Sequence, residues 1–174
     1  MLQTLQPHTP PTEAVGQEIG LESISSPIVH AGLDYWRDKC AGRRFPSRAD
    51  IHPAEIKKLL PHIILAKVLD DGRDFEFKVV GQSMAAAHGI NPINWRVSDL
   101  DREMPGATAT VMRVYRIAHT TRRPYASRGT LKHFDRSYRS FESLILPLGP
   151  DERTVDHIFV VAGFSGKVDG AKPE

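Results

Sequence analysis

From about residue 26 the apolar positions recur with helical spacing. Val29, Leu33, Trp36 and Cys40 follow one another at intervals of four, three and four, a single stripe. Ser26 stands where an N-cap belongs and Pro27 where a first helical residue belongs. Gly42 closes the segment. After a loop with Pro46 and Ser47, Pro53 opens a short helix whose apolar residues are Ile56, Leu59 and Leu60, and Pro61 stops it. The period then changes to two. His62 to Leu69 is rich in Ile, Leu and Val, and Asp70-Asp71-Gly72 is a turn signal. Phe75, Phe77 and Val79 alternate with Asp74, Glu76 and Lys78, so the pair reads as a β-hairpin.

An alanine-rich stretch from Gly81 to His88 predicts a short helix, and Gly89 to Trp95, around Asn91-Pro92, a loop. Ser98-Asp99-Leu100 begins a further turn. Ala107 to Thr121 predicts a longer helix with Val111, Val114, Tyr115 and Ala118 as its buried stripe, ended before Pro124. Three strands follow, over Tyr125 to His133, Tyr138 to Leu148, and Val155 to Phe164. The run Ile158 to Phe164 is apolar throughout, which marks a central strand covered on both faces. The fold class is α+β: a five-stranded antiparallel sheet with helices on one face and an N-terminal flanking helix. Placing the most apolar strand centrally, beside the first, gives the order 2-1-5-4-3. Residues 1–25, with Pro7, Pro10 and Pro11 among Thr, Gln and Glu, read as a disordered leader. Residues 26–165 form the domain, and 166–174 a flexible tail.

Composition narrows the class. A chain of 174 residues is one domain with a core large enough to fold without staples. The single cysteine, Cys40, permits no internal disulfide and fits a reducing compartment. No Cys/His set has zinc-ligand spacing. The formal charge is +2 with acids and bases interspersed, which argues against nucleic acid as partner. Arg43-Arg44 and Arg122-Arg123 read as solvated charges. No run is apolar enough to span a membrane, and Met1 to Gly20 lacks the features of a secretory signal, so the expected location is cytoplasmic.

Several segments resemble one family. They are Leu33-Asp34-Tyr35-Trp36, Arg44-Phe45-Pro46-Ser47-Arg48-Ala49-Asp50-Ile51, and Ile56-Lys57-Lys58-Leu59-Leu60-Pro61-His62-Ile63. Phe77-Lys78-Val79-Val80-Gly81, Arg128-Gly129, Glu142 and Leu146-Pro147-Leu148 add to them. Together they resemble a bacterial family of small, stand-alone PAS-domain proteins over roughly residues 30–165. The resemblance implies the PAS fold, a sensory or protein-interaction role, and no catalytic motif. Where such proteins carry a Thr-Gly step after the middle helix, this chain has Pro92-Ile93-Asn94-Trp95. Asn tolerates the left-handed conformation, and Trp95 is bulky enough to reshape the mouth of a pocket.

The resemblance also implies a cavity between sheet and middle helices. Its candidate lining is Phe75, Phe77, Val79, Met84, Tyr115, Glu142 and Leu144; the alternative is a filled core of the same side chains. Glu142 shares a strand face with Leu144 and Leu146, where an acid needs a partner. It is either a ligand anchor or half of an ion pair with Arg128 or Arg139. Some PAS sensors hold haem through a histidine on the long helix. Here His119 sits at the helix end, where a solvated cation is the simpler account. His88 is a weaker candidate for the same role. His52 and Glu55 have the spacing of a metal pair but stand alone, beside Pro53. Flavin-thiol photochemistry needs a cysteine on the middle helix, and Cys40 is on the first. Val29, Leu33, Tyr35 and Trp36 are the candidate interface of a homodimer, or the seat of the first helix on its own sheet. No phosphate loop or nucleophile turn is present, so a non-enzymatic module is expected. It would bind a small molecule or a signalling protein; a ligand-free adaptor and an enzyme of unrecognised type are the rivals.

Overall fold

The computed structural model describes residues 16–131 and 140–166. In chain order the elements are β1 (Gln17–Ile19), α1 (Pro27–Cys40), β2 (Ile63–Leu69), β3 (Asp74–Val80), α2 (Gln82–His88), α3 (Ala107–Thr121), β4 (Tyr125–Thr130), β5 (Ser140–Leu148) and β6 (His157–Ser165). Short 3-10 turns join them, the longest at Val97–Arg102. All pairings are antiparallel, in the order β1-β4-β5-β6-β2-β3. The five expected strands stand in the expected order, with the apolar β6 central. A sixth, β1, lies at the β4 edge, built from residues that composition assigns to the leader. The expected turn at 134–137 and Arg139 lie outside the described residues.

Alternation in β5 and β6 divides the sheet into two packed faces. Leu144 opposes Val161 and Leu146 opposes Phe159, and Ile63 and Leu65 of β2 extend this set. α1 covers it so closely that a Cβ on Gly32 would fall 2.7 Å from Val161 Cγ2. The intervening residues, Ile145, Ile158, Val160 and Ala66, face α3. The helices are therefore on both faces, α1 alone on one and α2 and α3 on the other. Backbone chemistry at the turns follows the residues: Asp70, Asp71 and Gly72 are left-handed (φ 47°, 55° and 82°), as is Asn94 (φ 65°). Asn94 and Trp95 exchange backbone hydrogen bonds with Phe77 and so tie the 90–96 loop to the outer edge of β3.

One irregularity re-aims a strand. Leu65 opposes Val79, yet Ala66 opposes Phe77, so Lys78 is an extra residue in β3. A bulge of this kind restarts the alternation. Phe75 and Phe77 face α3, while Val79 crosses to the α1 face.

Candidate functional site

The α3 face carries an aromatic cluster. Tyr115 meets Phe75 edge-on with ring centroids 5.3 Å apart, and Phe77 at 6.5 Å. Phe75, Phe77 and Tyr115 are thus together, and their side chains fill the space between β3 and α3. Met84 of α2 is buried in the hydrophobic core. Tyr115 is 4% exposed, and burial pushes its phenol far above the ordinary range, so it is neutral. Farther along this face, the hydroxyls of Ser127 and Ser143 pair across β4 and β5 at 2.9 Å.

The remaining expected lining residues, Val79, Glu142 and Leu144, lie on the other face. The division corrects the single pocket expected from alternation, and its cause is the bulge at Lys78 together with the helix on each side. Glu142 is 6% exposed and turned to the start of α1. The Ser25 N–H donates to both carboxylate oxygens at 3.0 Å, and the Ser25 hydroxyl donates at 2.8 Å. The Ser26 N–H donates to the same carboxylate. Arg128 Nη2 donates to Oε2 at 3.0 Å and to the Ser23 carbonyl at 2.8 Å. Burial raises the Glu142 pKa, but the donors from Ser25, Arg128 and Ser26 outweigh it and hold the carboxyl below its ordinary range. Ser26 itself makes no side-chain cap bond, and the Glu142 carboxylate instead accepts from the N–H groups of Ser25 and Ser26, which lead into the helix. Gly163, opposite Glu142, makes the fit possible: a Cβ there would lie 2.2 Å from Ser26 Oγ.

Val29, Leu33 and Trp36 are buried against their own sheet, and Trp36 Nε1 donates to the Pro147 carbonyl at 3.0 Å. They offer no surface to a second copy, which corrects their reading as an interface; the helix stripe is core. Tyr35 is half-buried, its hydroxyl donating to Glu55 at 2.8 Å and accepting from the His52 N–H at 3.0 Å. Glu55 also holds Lys39 at 2.6 Å, so it is committed to this cluster. His119 is packed rather than solvated: its side chain is 14% exposed, edge-on to Phe75, over Gly72, and 3.8 Å from Asp71. Burial lowers its pKa. Cys40 sits in the last turn of α1.

A hollow of about 260 Å³ opens between His62, Ser83 and Ala86 on one side and Phe164, Ser165 and Gly166 on the other. None of these belongs to the expected lining. His62 ends an apolar motif and Ser83 interrupts an alanine run, so neither stands out by spacing. Among the described residues no group of three or more His, Cys, Asp or Glu side chains could hold a metal ion. No helix there is long and apolar enough to cross a membrane.

An antiparallel sheet of this order, clasped by short helices on one face and a flanking helix on the other, defines the PAS class of sensory and regulatory folds. The family model described as PAS domain matches residues 25–162, and the chain belongs to that family. A search of curated proteins finds no match to this chain.

Proposed function

We propose that the chain is a cytoplasmic regulatory module that takes up a small molecule on the α3 face and passes the event to a signalling protein through α1. The observation that carries this reading is the aromatic cluster in which Tyr115 meets Phe75 and Phe77 edge-on beneath α3. A ligand taken up on this face would pack on those rings and accept from the Tyr115 hydroxyl. The clamp at Glu142 supplies the second half, because it ties the start of α1 to β4 and β5, the strands against which α3 packs on the opposite face.

The test is the native mass of the purified protein against its denatured mass. Excess mass that disappears in Tyr115→Phe supports the sensor. The filled aromatic core favours a second reading, a ligand-free adaptor. A bare mass for both proteins, with partner capture abolished by removal of 26–41, would establish that reading instead. Self-association, if the same spectrum shows it, uses a surface other than Val29, Leu33 and Trp36.

A further inference from the structure

The hollow beside His62 has walls held from three directions. His62 is fixed by the turn in which its N–H donates to the Leu59 carbonyl at 2.7 Å. Ser83 and Ala86 come from α2, whose start is pressed onto that turn: a Cβ on Gly81 would lie 2.4 Å from the carbonyl oxygens of Leu60 and Pro61. Phe164 projects from β6 and is braced edge-on by His88 at 6.3 Å. These supports preform the hollow, and preformed walls lower the entropy cost of binding. Among the described residues its lining includes no carboxylate, lysine or arginine. The polar groups are one imidazole and the hydroxyls of Ser83 and Ser165, and the apolar surface is a half-buried phenyl ring. His62 Nδ1 is sealed from solvent and has no hydrogen-bond partner among the described residues. A bare acceptor in that position costs less than a bare N–H, so the ring proton belongs on Nε2, the edge left to meet a ligand.

We propose that this hollow binds a small, uncharged, planar heteroaromatic molecule of nucleobase size. Its ring packs on Phe164, and a ring nitrogen or carbonyl accepts from His62 Nε2 while Ser83 completes the recognition. The volume, about 260 Å³, is below the range of drug-sized sites and suits one or two fused rings. The absence of lining charge disfavours anions, whose desolvation nothing there repays. The proposal rests on the reading of the chain as a small-molecule sensor and gives that sensor a ligand class.

The experiment is a titration of the isotope-labelled full chain with adenine, followed by NMR, with benzoate as a flat anionic control. The expected result is saturable shifts centred on His62, Ser83 and Phe164, with a dissociation constant at or below about 1 mM. Phe164→Leu should weaken binding about tenfold or more, and Ser83→Ala by a smaller factor, in proteins whose remaining spectrum is unchanged. No saturable shift, equal binding of benzoate, or shifts centred elsewhere would overturn the proposal. A co-purified ligand lost in Tyr115→Phe while adenine leaves His62 and Phe164 unmoved would remove this site and keep the sensor. A bare native mass with adenine bound here would keep this site and the sensor, and would move the ligand away from Tyr115.

Discussion

Tyr115 and Glu142 are polar residues in apolar surroundings, and chemistry sets them apart. The tyrosine is held by edge-on ring contacts with Phe75 and Phe77, whereas the carboxylate collects donors from Ser25, Ser26 and Arg128. Tyr115→Phe keeps those ring contacts and should therefore leave the denaturant midpoint of the ligand-free protein unchanged. A loss of about 1 kcal/mol would mean that the hydroxyl holds a hydrogen bond in the free protein. Glu142→Gln keeps the shape but removes the charge and turns an N–H₂ toward donors, at a cost of about 1–3 kcal/mol in urea unfolding. Acid separates two groups of side chains. Glu142 has a lowered folded pKa, so its contribution is complete above the ordinary glutamate range and is lost as pH falls below it. Burial also lowers the pKa of His119, against the pull of Asp71 and with the push of Arg122, so the fold disfavours its protonation. The unfolded chain gains a proton near 6.5, and stability declines as pH drops through that value. Melting temperatures between pH 8 and pH 5 should show this early decline in the wild type and a shallower one in His119→Gln. An equal slope in both would assign the decline elsewhere.

At the scale of elements, α1 depends on two glycines that sit where strand meets helix. Gly32 clears Val161 and Gly163 clears Ser26. Gly163→Ala puts a methyl against the capped turn, and overpacking of this kind costs about 1–3 kcal/mol. The expected outcome is faster proteolysis near residues 20–40, read by limited digestion, with the β2–β3 hairpin still protected. Uniform cleavage along the chain would mean that α1 and the sheet unfold as one unit. The elements themselves were largely legible. Alternation at Phe75, Phe77 and Val79 marked β3, the Ile, Leu and Val of His62 to Leu69 before a turn signal marked β2, and the unbroken apolar run of Ile158 to Phe164 identified the central strand. β1 was not legible, because Gln17-Glu18-Ile19 has three residues and no alternation. Its strand character comes from the open edge of β4. The bulge at Lys78 was invisible for a related reason: side-chain alternation runs through it unbroken, and only the pairing with β2 shows that Val79 has changed faces. Glu142 stood out as an acid among leucines, but its partner Ser25 is 117 residues away and carries no mark in the sequence.

In the whole molecule the same two strands serve both faces. β5 sends Ile145 toward the aromatic side and Leu144 and Glu142 toward α1; β6 does likewise with Val160 and Val161. A close-packed sheet does not deform smoothly, so a ligand that shifts one face alters the fit of side chains on the other. The most exposed consequence is the clamp, since Ser25 is at the surface while Glu142 is buried beneath it. A clamp of a few hydrogen bonds can open locally without unfolding the domain. Amide hydrogen exchange at Ser25, Ser26 and His30 reports that opening, because the first two donate to Glu142 and the third to the Ser26 carbonyl. Ligand uptake should change exchange at these amides by several-fold while leaving β2 and β6 as protected as before. Glu142→Gln should raise their exchange in the free protein and flatten the response to ligand. If ligand alters exchange only in α2, α3 and β3, binding does not reach α1 through the sheet, and the signal must leave the molecule from the α3 side.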